Sequence, residues 1–108
     1  MQEIIMKIIM NAGDAKSDCI QAIQYARKKD FKTAGELMNQ ADSKILQIHC
    51  LQNELMQREC RGEKIELSIL MVHAQDHLTN AIVTFDLASE FIAYIEEVEN
   101  EKKADIHY

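Results

Sequence analysis

The sequence predicts an all-α protein, an antiparallel three-helix bundle running up, down and up. Proline is absent and glycine occurs three times in 108 residues, so long helices meet little local opposition. Apolar residues return at three- and four-residue steps through three long stretches, the period of a helix face. The breaks between these stretches are short, which places consecutive helices side by side and antiparallel. Residues 1–108 read as one domain, with helices over about 2–28, 31–61 and 66–100.

In the first stretch Ile5, Ile8, Ile9, Ala12, Ala15, Cys19, Ile23 and Ala26 form a single apolar stripe. It ends at Arg27-Lys28-Lys29, cations that suit the negative end of a helix dipole. Asp30 then offers a side-chain oxygen to the free N–H groups of a second helix. The second stripe is Ala34, Leu37, Met38, Ala41, Ile45, Ile48, Leu51 and Leu55, running to Cys60. Gly13 and Gly35 lie inside these patterns, where each costs about 1 kcal/mol against alanine. Gly62, between Arg61 and Glu63, reads as a true break.

The third stretch starts around Leu67 or Ser68 and carries Leu70, Met71, Ala74, Leu78, Ala81, Phe85, Ala88, Ile92 and Ile95 to about Glu99. It has a second apolar face as well. Ile69, Val72, Val83, Leu87 and Tyr94 lie around the helix from the first set at about 100° per residue. A monomeric bundle uses one stripe per helix, so the extra face predicts an oligomer built around helix three. The other reading is a wide core-facing helix in a monomer.

Eighteen acidic residues against twelve basic give a formal net charge of −6. That charge repels nucleic-acid phosphates and anionic membrane surfaces, which removes both from the expected partners. The opening Met1–Met10 segment has no basic start and no small-residue cleavage site, so it is not read as a signal peptide. No stretch is expected to approach the roughly 20 uninterrupted apolar residues of a membrane span. Cys19, Cys50 and Cys60 are odd in number and far from Cys-x-x-Cys spacing. They read as reduced core thiols in a cytoplasmic protein.

The chemistry concentrates in Val72-His73-Ala74-Gln75-Asp76-His77-Leu78. His73, Asp76 and His77 stand at i, i+3 and i+4, which brings three ionisable side chains to one face of one turn. Such groups beside apolar surface are costly unless paired, hydrogen-bonded, metal-bound or open to a cleft. Histidine ionises with an unperturbed pKa near ~6.5, so its neutral, nucleophilic form is abundant at neutral pH. It can accept a phosphoryl group and release it. A second imidazole one turn away can hydrogen-bond to it or offset charge. A satisfied pair of core histidines and a metal site remain open alternatives at this point. The metal reading lacks His-Glu-x-x-His and needs further ligands from elsewhere, such as His49 or Glu54. No glycine-rich phosphate loop is present, so a phosphoryl group has to arrive already activated on a partner. Three functional classes follow: a phosphocarrier, a helical adaptor, and a zinc hydrolase.

The run Leu70-Met71-Val72-His73-Ala74-Gln75-Asp76-His77-Leu78 resembles the signature of the lactose/cellobiose-specific IIA family of the bacterial phosphotransferase system. Similar stretches extend over nearly the whole chain: Ile8 to Ser17, Asp30-Phe31, His49 with Gln52 and Glu54-Leu55, and Gly62-Glu63-Lys64. Thr79 and Asn53 stand where methionine and threonine are common in the family, and Cys60 stands for a usual alanine. The resemblance implies a homotrimer of three-helix protomers with active sites at subunit boundaries. It implies that His73 becomes a tele-phosphohistidine, receiving phosphate from HPr and passing it to a cysteine of the IIB component. The membrane IIC component then imports a disaccharide of lactose, cellobiose or chitobiose type. Asp76, one from each subunit, is matched to a carboxylate held by Mg2+ at the trimer axis. His77 and Gln75 are matched to supporting neighbours of the active histidine.

Overall fold

The computed structural model describes the backbone of residues 1–106 and side chains through Ala104. Three helices follow one another: α1 (Gln2–Arg27), α2 (Phe31–Cys60) and α3 (Ile69–Ile106). No strand occurs among the described residues. The molecule is a rod 67 Å long and 20 by 17 Å across, since α3 outruns both other helices.

The turn from α1 to α2 is only three residues long because both helix ends are satisfied locally. The N–H groups of Lys28 and Asp30 donate to the carbonyl of Tyr25, and that of Lys29 donates to Ala26. Lys29 takes a φ of 67°, the left-handed conformation that commonly closes a helix. Asp30 caps α2 by accepting from the Thr33 N–H at 3.1 Å and the Thr33 hydroxyl at 2.8 Å. These two bonds, the hydroxyl's first, hold the Asp30 carboxyl below its ordinary range.

At the far end of α2, Gly62 adopts a φ of 88°, which favours glycine and stops the helix. Its N–H and that of Glu63 donate to the carbonyls of Glu59 and Arg58. The third helix does not start at residue 66. Its cap is Ser68, whose hydroxyl accepts from the Met71 N–H at 3.1 Å, so the first helical residue is Ile69. Nor does α3 stop near 100: it continues to Ile106, through a charged segment with no glycine or proline to end it.

The core is built from Ile5, Ile8, Ala12, Ala15 and Cys19 of α1, Ala41, Ile45, Ile48 and Leu55 of α2, and Met71, Ala74, Leu78, Ala81 and Ala88 of α3. Alanines at so many contact positions let the helix axes approach closely. Both α2 and α3 rest mainly on α1 and touch much less of each other. One charged pair crosses the α1–α2 contact, Asp18 accepting from Lys44 Nζ at 2.6 Å. Asp18 is 8% exposed, so this ion pair replaces most of the water its carboxylate loses.

The placement of the thiols expected from the sequence is corrected. Only Cys19 is a core thiol, while Cys50 and Cys60 are exposed. Cys50 lies about 200° around α2 from the buried Ile48, on the solvent side. Burial, and secondarily the Asp18 carboxylate, push the Cys19 thiol up to about 11. Iodoacetamide at pH 8 therefore alkylates two thiols of the folded chain and all three after unfolding. Mass spectrometry of the products checks this, and modification of Cys19 in the native protein would contradict it.

Membrane-spanning length here is a matter of average hydropathy, not of an unbroken apolar run. Among the described helices, α3 over Ile69–Ala104 is long and apolar enough to cross a membrane. It reaches that average because it is apolar on two faces, not through an unbroken run, as Asp76, Asp86 and Glu90 interrupt it. One of those faces, through Met71, Ala74, Leu78, Ala81 and Ala88, is occupied by the protein's own core.

Candidate functional site on helix three

The other face of α3 is bare. Ile69 is 90% and Tyr94 66% exposed, and Val72, Val83, Leu87 and Phe91 are each exposed over half their surface or slightly more. Phe91 belongs to this face although the spacing of the sequence had not singled it out. At about 100° per residue, Asp76 falls in line with Ile69, Val83, Leu87 and Tyr94. Asp76 thus interrupts an outward apolar stripe, and Glu90 lies beside Leu87, Phe91 and Tyr94 farther along it.

One turn into α3, His73 and His77 meet. Their Nε2 atoms are 3.0 Å apart, and the rings stand edge to face with centroids 4.4 Å apart at 89°. The i, i+4 spacing causes the contact, because side chains four apart stack along the same side of a helix. His73 is exposed and His77 half-buried, so the pair is open to an incoming molecule. A satisfied core pair is therefore not what the fold builds. The third group does not join them: Asp76 is exposed on the outward stripe.

Gln75 faces elsewhere. Its amide exchanges two hydrogen bonds with Gln52 of α2, at 2.9 and 3.0 Å, and its nitrogen lies 3.7 Å from the Met71 sulfur. This reciprocal pair ties α2 to α3 at the level of His73. It also borders an open cleft of about 330 Å³ whose walls include Leu55, Met56, Ile65, Leu67 and Met71. No periodicity reveals a contact across 23 positions, so the pairing was invisible in the sequence.

The donor set for a catalytic zinc is incomplete. Among the described residues no three His, Cys, Asp or Glu side chains come together to hold an ion. His49 and Glu54 are exposed on α2, and Glu54 accepts from Arg58 at 2.8 Å.

Residues 3–96 match the family described as the lactose/cellobiose-specific IIA subunit of the phosphotransferase system. The chain belongs to this family. It is 39% identical over 106 residues to the lichenan-specific phosphotransferase enzyme IIA component of Bacillus subtilis, covering 98% of this chain and 96% of that one. The crystal structure of the cellobiose-specific enzyme IIA from Bacillus anthracis superposes with a TM-score of 0.87 at 43% identity, covering 91% and 90% of the two chains. A solution structure of the IIA(Chitobiose)–HPr complex from Escherichia coli gives a TM-score of 0.79 at 30% identity, covering 91% and 95%. As a IIA component, the chain is a three-helix protein of the phosphotransferase system, and its two contacting histidines lie on the helix that carries the bare apolar face.

Proposed function

We propose that this IIA protein carries a phosphoryl group on Nε2 of His73, accepting it from phospho-HPr and passing it to a cysteine of a IIB component. The observation that carries the reading is the 3.0 Å contact between His73 Nε2 and His77 Nε2 on an open helix face. When His77 holds its proton on Nε2 it donates to His73 Nε2, so the His73 proton stays on Nδ1. The tautomer with a lone pair at Nε2 is the nucleophilic one.

The transfer needs no acid or base. The P–N bond on the HPr histidine breaks as the P–N bond to His73 Nε2 forms, and the leaving imidazole keeps the electron pair. Each ring retains the single proton on its other nitrogen. Catalysis then rests on alignment of donor and acceptor. With the phosphoryl group in place, the His77 Nε2–H turns to one of its oxygens. A side chain at this position also leans toward the N-terminus of α3, the positive end of the helix dipole. The IIB cysteine takes the group next, for uptake of a disaccharide through the IIC component. The named relatives serve lichenan, cellobiose and chitobiose systems, which supports a sugar of lactose, cellobiose or chitobiose type. A cytoplasmic location follows from that chemistry, since donor and acceptor work there.

The bare face of α3 supports assembly with copies of the same chain, and the proposed order is a trimer. Burying that face brings Asp76 into an apolar seam. Carboxylates gathered there repel and lose hydration unless a cation joins them. Their hard oxygens suit Mg2+, and one carboxylate per chain makes a site only when copies meet. The ion's part is structural. Asp76→Asn is expected to abolish stoichiometric Mg2+ in the purified assembly, read by elemental analysis. A fully loaded variant would place the ion elsewhere.

Incubation with phospho-HPr, followed by detection of an acid-labile, base-stable phosphohistidine, tests the main reading. An adaptor would take up no phosphate at all.

A further inference from the structure

We propose that His73 and His77 together form a two-point site for a divalent transition-metal ion of the zinc class, and that the bound ion blocks phosphoryl acceptance. The second half rests on His73 being the acceptor; the first does not.

The geometry is the starting point. Imidazole nitrogens sit about 2.0–2.1 Å from zinc, so two of them on one ion, at angles between a right angle and the tetrahedral value, lie roughly 2.9–3.4 Å apart. The Nε2 atoms of His73 and His77 are separated by 3.0 Å. The spacing for chelation therefore exists before any metal arrives, and small rotations of the two rings turn both lone pairs toward a common point. The same i, i+4 helical spacing places paired imidazoles on zinc in metal-dependent proteases.

The surroundings allow it. His73 is exposed and His77 half-buried, which leaves room for water to complete the coordination shell. No Lys or Arg side chain is hydrogen-bonded or ion-paired with either ring among the described residues. Imidazole prefers zinc, copper and nickel to magnesium or calcium. The pair thus selects a different ion from the one suited to Asp76.

The consequence follows from electron counting. His73 Nε2 has one lone pair, which bonds to phosphorus or to the metal but not to both. When the ion binds, the proton on His77 Nε2 moves through solvent to Nδ1, and both rings become Nε2 ligands. The ion then occupies the position that the phosphoryl group requires. Phosphorylation in turn removes one of its two ligands.

Calorimetric titration of the full chain with Zn2+ tests the site. Saturable binding of one ion per chain is expected, with affinity falling roughly tenfold or more when either His73→Ala or His77→Ala removes the second ligand. His49→Gln should bind like the unmodified chain. Circular dichroism verifies that each variant is folded. In parallel, the rate of labelling by phospho-HPr should fall in proportion to Zn2+ occupancy and recover with chelator, while residual labelling of His77→Ala should resist the same Zn2+ concentration. Equal affinity in all three histidine variants, or no binding by the unmodified chain, would overturn the proposal. Zinc binding that depends on both histidines in a chain that takes no phosphoryl group would uphold the site and sink the carrier reading instead. Binding on both histidines without any effect on labelling would overturn the inhibitory half.

Discussion

With alanine in place of His73, phospho-HPr should leave no phosphoryl group on the chain, and the helical circular-dichroism spectrum should be unchanged. Both halves follow from where the residue sits. The imidazole is exposed and contributes nothing to the core, and alanine is the strongest helix former, so α3 persists. Among the described residues only His77 contacts that imidazole. His77 is the nearest nitrogen but is half-buried and lacks a hydrogen-bonding partner once His73 is gone. The labelling rate should drop by roughly a thousandfold or more, as when the nucleophile of a covalent mechanism is removed. His77→Ala should slow labelling without ending it, because the acceptor nitrogen survives. Acid-labile label on the His73→Ala chain, located by mass spectrometry on another residue, would defeat the assignment.

The second large effect concerns assembly. Aspartate at both Val83 and Leu87 should reduce the solution mass to that of a single chain, measured by light scattering on a sizing column. In the isolated protomer both residues are at least half exposed, so the double variant should keep its helical content. In an assembly, covering the half of each side chain still exposed contributes about 1 kcal/mol apiece, roughly half the value for full burial. The new carboxylates add a desolvation cost beside Asp76, which already stands in that stripe. Repeated in each subunit, these terms exceed what a small oligomer can lose. If the unmodified chain already runs as a single copy, or the double variant keeps its mass, the outward face has another purpose.

Much of this was readable from residue order alone. The stripes Ile5 to Ala26, Ala34 to Leu55 and Met71 to Ala88 correspond to core-facing residues because a helix repeats every 3.6 residues, leaving a simple trace in sequence. The His73–His77 contact was legible for the same reason. What escaped was whatever depends on two helices at once. The Asp18–Lys44 pair and the Gln52–Gln75 amides join residues more than twenty positions apart, and no local rule pairs them. Cys50 and Cys60 were misplaced because cysteine's apolar character outweighed a position on the solvent side of α2. Helix three began later than the apolar pattern suggested, because the Ser68 hydroxyl, not hydrophobicity, sets where the backbone first needs a cap.

Helices two and three lean on helix one far more than on each other, and this gives the protomer an uneven resistance to local opening. Where little nonpolar surface is shared, separating two elements demands little free energy. The seam between α2 and α3 is therefore the opening side of the rod, latched at one height by two facing glutamine amides, and it is along this edge that the molecule can most cheaply breathe.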